Sequence, residues 1–149
     1  MYQSLIPEQV SQALAEDLNH QGPDADITAA LIPANQMATG KVITRQEAVI
    51  CGLEWVAETL RQVDPNIEVT FLVKDGERVL ANQALFSFTG PARAVLTAER
   101  TALNFLQTLS ATATSTAAYV KKVRALGSTT QILDTRKTIP GLRFAQKYA

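Results

Sequence analysis

The chain has 149 residues, 46% hydrophobic and 19% charged. That composition excludes wholesale disorder, and the length excludes a complete (β/α)8 barrel, which needs roughly 250 residues. Its single cysteine, Cys51, excludes an internal disulfide framework and a cysteine-rich zinc site, and suits a reducing cytoplasm. The net charge is zero but unevenly spread: residues 1–90 carry twelve acidic and five basic side chains, residues 91–149 two acidic and nine basic. A cationic final third either neutralises the rest of the chain or meets an anionic ligand.

The opening MYQSLIPEQV has no basic n-region and no long apolar core, so it does not read as a signal peptide. Residues 7–18 predict a helix with Val10, Ala13, Leu14 and Leu18 on one face. Residues 19–26, with Gly22, Pro23, Asp24 and Asp26, predict a loop. Two short strands are expected within 38–52, around Arg45 to Ala48. Leu53 to Val63 reads as an amphipathic helix that Asp64-Pro65 ends. Ile67 to Val73 alternates as a half-buried strand, Asp75-Gly76 turns the chain, and Val79-Leu80 and Ala84 to Phe88 continue the sheet. Gly90-Pro91 opens a helix from Ala92 to Leu109, Ser110 marks a break, and a second helix runs from Ala111 to Ala125, closed by Gly127. Between Thr101 and Val120 there is no charged residue, yet nine of the twenty are Thr, Ser, Asn or Gln, which predicts a buried helix pair and not a membrane span. Gln131 to Asp134 reads as a short strand, 135–138 as a polar loop, and Pro140-Gly141 as the start of a last helix. The fold class is α+β, with an α+β module over about 1–109 followed by helix, strand and helix, about one β/α unit's worth of chain.

Two places could carry chemistry. Arg93, Thr97, Arg100, Asn104 and Gln107 recur at steps of four and three, which puts them on one helix face. Such a stripe is ordinarily solvated surface, and a ligand site is the alternative. Asp134-Thr135-Arg136-Lys137-Thr138 lies between a predicted strand and a predicted helix, where α/β folds hold ligands. A guanidinium fork, an ammonium and a hydroxyl make either an anion cradle or a plain basic loop. His20 reads as a surface residue, Cys51 as core, Asp24 and Asp26 as turn formers, and Lys121, Lys122 and Arg124 as a solvated face. No phosphate-loop glycine signature and no metal-ligand histidine pair occurs.

The runs AERTALNFLQTLSATAT and QILDTRKTIPGLRFAQKYA, preceded by ALAEDL, DITAALIP, VITRQEAVICG and VKDGERVLANQALFSFTGPARAVL, resemble the quinolinate phosphoribosyltransferase family over nearly the whole chain. The resemblance implies an N-terminal open α/β sandwich over 1–109, followed from 110 by the truncated first β/α unit of an α/β barrel. It implies transfer of a phosphoribosyl group from phosphoribosyl pyrophosphate to quinolinate, giving nicotinate mononucleotide, pyrophosphate and CO2. Mg2+ assists, with ligands expected beyond residue 149. It further implies homodimers or multiples of dimers, in the cytoplasm, with no nucleic acid or membrane partner.

Residue by residue, the match puts Thr135, Arg136 and Lys137 on quinolinate and sends Arg100 into the partner's site. Ser110-Ala111 stands where the family has a small residue followed by Gly. The family's later His-Arg pair, its further Lys and its acidic ribose and metal residues fall past residue 149, so a 149-residue chain is expected to be an inactive fragment. Three alternatives stand beside this reading. One is a paralogue of the molybdenum-transport-associated type. Another is a non-catalytic dimerisation or regulatory module. The third is a lipoyl- or biotinyl-carrier module suggested by Phe71 to Gly90, which lacks a lysine at the hairpin tip because Lys74 precedes the turn.

Overall fold

The computed structural model describes residues 5–149. Helix α1 (Ile6–Asp17) has proline in its first turn and buries Ile6, Val10 and Leu14. A 3-10 turn (Pro23–Ala25) leads into the single-turn helix α2 (Ile27–Ala30). Strands β1 (Met37–Ile43), β3 (Glu68–Phe71) and β5 (Ala84–Pro91) form an antiparallel sheet in the order β1-β5-β3. Strands β2 (Ala48–Val49) and β4 (Arg78–Val79) pair separately. Helix α3 (Leu53–Val63), helix α4 (Ala92–Ala125) and the short α5 (Arg143–Tyr148) complete the chain. The α+β class is as expected, and α1, α3 and the five strands fall where hydrophobic periodicity puts them.

The β1–β5 register sets Gly40 opposite Phe88. A Cβ at Gly40 would lie 2.5 Å from the Phe88 ring, so only glycine lets that ring lie across β1. One core joins α3 and α4 to the sheets through Val56, Leu60, Val79, Leu85, Phe86, Ala98, Ala102 and Leu106. A second, further along the same stripe of α4, gathers Val10, Leu14, Cys51, Trp55, Phe105, Leu109, Ala113 and Ala145. Cys51 is core as expected; burial first, then the Asp75 carboxylate, push its thiol up to about 12.

Two expected features are corrected. Ser110 does not break the helix: α4 is continuous for 34 residues, about 50 Å. A serine disfavours a helix when its hydroxyl competes for the helix's own backbone. Here the Ser110 hydroxyl accepts the Cys51 N–H (3.1 Å) and donates to the Cys51 carbonyl (3.2 Å). One turn on, the Thr114 Oγ1 accepts the Val49 N–H (2.8 Å). The expected helix pair is therefore one helix, and most of its last turns are exposed. Among the described residues no helix is long and apolar enough to cross a membrane.

The expected strand at 131–134 is irregular and exposed. A strand needs a ladder, and among the described residues no backbone hydrogen bond joins this segment to a neighbouring extended one.

Helix α3 begins at Gly52, whose φ of +106° and lack of a side chain leave the first N–H groups uncapped locally. Asp75 supplies the cap from the turn after β3: its Oδ2 accepts Gly52 N–H (3.0 Å) and its Oδ1 accepts Leu53 N–H (3.1 Å). The same Oδ2 accepts the Tyr148 hydroxyl (3.0 Å), tying α5 to the helix start. Asp75→Ala should lower stability by about 1–3 kcal/mol in urea unfolding. Asp75→Asn, which retains an acceptor, should recover part of that. An Asp75→Ala midpoint equal to wild type would contradict this account of the cap.

Candidate functional site

The polar stripe of α4 is not plain solvated surface. Arg93 donates to the Ile32 carbonyl (2.6 Å) and the Ala30 carbonyl (3.3 Å), closing the C-terminal end of α2. Thr97 is buried and donates to Asp26 Oδ2 (3.1 Å). Arg100 donates through Nε to both Asp17 oxygens (3.1 and 3.2 Å) and through Nη2 to Asp17 Oδ2 (3.0 Å) and Asp26 Oδ2 (3.3 Å). Asn104 and Gln107, further along, are exposed.

Asp26 is the buried centre of this group. Its Oδ1 caps α2 by accepting Thr28 N–H (3.0 Å) and Ala29 N–H (3.1 Å), while Oδ2 takes Thr97 and Arg100. Burial drives its carboxyl up, but the Ala29 N–H, the Thr97 hydroxyl and the Arg100 charge together outweigh it and hold the pKa below its ordinary 3.8. Arg100 is held charged chiefly by its hydrogen bond to Asp17, against the opposing effect of burial. Its side chain is still 46% exposed, so the guanidinium is fixed on one side and open on the other.

The 134–138 loop differs in kind. Thr135 Oγ1 accepts the Lys137 N–H (3.0 Å), a short side-chain turn. Asp134 pairs with Lys147 (2.9 Å). The Arg136 guanidinium and the Lys137 ammonium are exposed and have no partner among the described residues. A hydroxyl that accepts one hydrogen bond can still donate, so Thr135, Arg136 and Lys137 offer one O–H and two free cations.

Arg100 and the 134–138 loop line different cavities, while a groove of about 480 Å³ joins Asp17 and Thr101, beside Arg100, to the 139–142 turn. The cavity of about 260 Å³ at Arg100 is walled by residues between Asp17 and Ile27. The groove of about 480 Å³ that reaches Thr138 is walled by α1, the 139–141 turn and α5. Neither contains both Arg100 and the loop.

Sequence patterning does not single out Asp17, and the loop composition around Asp26 marks it only as a turn former. A capping pattern, Asp followed by a short apolar helix, marks Asp26; nothing local marks Asp17, which lies 83 residues from its partner. His20, Lys121, Lys122 and Arg124 are exposed, as expected.

The family model described as Quinolinate phosphoribosyl transferase, N-terminal domain, matches residues 26–110, and the corresponding C-terminal domain model matches 112–149. A nicotinate-nucleotide pyrophosphorylase (carboxylating) from Mycobacterium leprae is 41% identical over 94% of this chain and 49% of its own length. A chloroplastic one from Arabidopsis thaliana is 34% identical over 94% of this chain and 38% of its own. Among solved structures, the nicotinate-nucleotide pyrophosphorylase from Francisella tularensis superposes with a TM-score of 0.89 at 44% identity, covering 98% of this chain and 50% of that one. NadC from Streptococcus pyogenes gives 0.85 at 33%, covering 96% and 49%. The chain thus spans about half the length, or less, of the curated relatives it matches.

Because Asp26 is lowered in the folded state, its charge stabilises fully above pH 3.8 and that contribution is lost as pH falls through the lowered value. Asp26→Asn keeps a capping oxygen and removes the charge held by Arg100. It should cost about 1–3 kcal/mol at pH 7 in urea unfolding, and the gap to wild type should shrink as the pH falls below 3.8. A gap that stays constant with pH would mean the charge contributes nothing.

Proposed function

The chain belongs to the quinolinate phosphoribosyltransferase family, and on that premise we propose that the protein transfers a phosphoribosyl group from phosphoribosyl pyrophosphate to quinolinate. The products are nicotinate mononucleotide, pyrophosphate and CO2. The observation that carries the reading is the pair of unpartnered cations, Arg136 and Lys137, on a loop whose Thr135 hydroxyl can still donate.

Quinolinate is a dianion with adjacent carboxylates, and a planar guanidinium grips one of them through two parallel hydrogen bonds. Lys137 shares the charge of the other, and Thr135 fixes the ring's orientation. Held in this way, the ring nitrogen presents its lone pair to the anomeric carbon of the ribose. The bond to nitrogen forms as the bond to pyrophosphate breaks, and positioning supplies much of the rate. Loss of the carboxylate next to the nitrogen as CO2 then leaves its electron pair on the ring carbon, which takes up a proton.

The half-exposed Arg100, anchored by Asp17 and Asp26, enters the site of a second subunit in a homodimer or multiple of dimers. Residues 1–109 are assigned to the sandwich domain and 110–149 to the opening of the barrel domain. On the resemblance, the Mg2+ ligands are assigned to residues other than those named here; when bound, the ion would supply charge neutralisation for the departing pyrophosphate. The cytoplasm is the compartment we assign.

The test is turnover by the protein purified from its own cells. It should convert quinolinate and phosphoribosyl pyrophosphate to nicotinate mononucleotide, with quinolinate preferred to nicotinate. Preference for nicotinate would contradict the reading and favour a same-fold paralogue, whereas absence of turnover by the 149-residue chain alone is what an inactive fragment predicts. Arg136→Ala should raise the KM for quinolinate roughly tenfold to 100-fold, the loss of a charge-assisted bidentate contact. An unchanged KM would remove Arg136 from the site.

A further inference from the structure

A loop without ladder or helix holds its side chains in place only if something else holds the loop. The 134–138 loop is tied at both ends to the same short helix. At its entry, Lys147 Nζ meets Asp134 Oδ2 at 2.9 Å. At its exit, Gln146 Oε1 accepts the Ile139 N–H at 2.7 Å. The loop's one internal bond is the Thr135–Lys137 turn.

Helix α5 is itself firmly seated. Ala145 is fully buried in the second core, and the rings of Phe144 and Tyr148 lie 5.8 and 5.5 Å from the Trp55 ring. The Tyr148 hydroxyl donates to Asp75, and Gln9 of α1 donates to the Gly141 carbonyl (3.0 Å) just before the helix. A continuous series of contacts therefore runs from the sandwich through α5 to both ends of the cationic loop.

We propose that Gln146 and Lys147 are positioning residues: they hold the two ends of the 134–139 segment on α5 and so fix the directions of Arg136 and Lys137. This rests on the reading of that loop as the quinolinate-binding segment. Of the two ties the Gln146 bond matters more. The Lys147–Asp134 pair is exposed by 37% and 56%, and ion pairs so open to water contribute little alone. Gln146 spans seven residues to satisfy a backbone N–H that no carbonyl takes.

Hydrogen exchange on the 149-residue chain tests the clamp without reference to activity. In Gln146→Ala the Ile139 amide should exchange about fivefold faster or more, with the β5 amides unchanged. Gln146→Glu keeps an acceptor oxygen and should restore protection. An Ile139 amide indifferent to Gln146→Ala overturns the clamp.

Kinetics of the protein purified from cells expressing the same variants test the positioning. The KM for quinolinate should rise about tenfold in Gln146→Ala, more than the KM for phosphoribosyl pyrophosphate, and recover in Gln146→Glu. Faster exchange with an unchanged KM overturns the positioning role alone. A wild-type protein that ignores quinolinate overturns the reading of the loop, and the positioning role with it, while the exchange result still decides whether the clamp exists.

Discussion

Helix α4 lays one apolar stripe against two cores in succession, and the rest of the structure is arranged around that constraint. Ala98, Ala102 and Leu106 face the core shared with the sheets and α3, while Phe105, Leu109 and Ala113 face the core shared with α1 and α5. With that stripe committed along its length, rotation about the helix axis is fixed, since a shift of one residue would turn the apolar row by about 100°. The remaining face is where Thr97 and Arg100 emerge. The direction of Arg100 is therefore a consequence of core packing before any charge is considered.

Two carboxylates then link early segments to late ones in the same manner. Asp26 caps α2 with one oxygen and takes Thr97 and Arg100 of α4 with the other. Asp75 caps α3 and takes Tyr148 of α5. Each serves N–H groups that a helix start leaves unsatisfied, and each spends its remaining capacity on a residue more than seventy positions away. The uneven charge of the chain acquires a meaning from this. Asp26 and Asp75 of the acidic first part are used inside the molecule, and Arg136 and Lys137 of the last part are exposed without a partner among the described residues.

The segments legible in the sequence are those with one dominant period. The i, i+3, i+4, i+7 row of α3 and the alternation of β3 are local patterns that tertiary contacts reinforce. Ser110 was misread because propensity cannot show where a hydroxyl points; its partner, Cys51, is fifty-nine residues away. Residues 131–134 carry a strand's composition without a paired neighbour, and a ladder is not a property of one segment. At the candidate site, the chemical types at Arg100, Thr135, Arg136 and Lys137 were readable from the family motifs. The Asp17–Asp26 anchor and the α5 ties were not, because they join residues by distance in space and leave no repeat in the sequence.

We propose that one subunit's Arg100 completes a site whose loop belongs to another. The direct measurement is complementation between Arg100→Ala and Arg136→Ala subunits produced together in one cell. Each variant alone leaves every site defective. A hybrid dimer would contain one intact site and one doubly defective site, so a random mixture should recover about a quarter of the wild-type sites. Activity at that level is the result the account predicts. Activity no greater than that of the two variants assayed separately would contradict it, and would place Arg100 in the site of its own chain or in none.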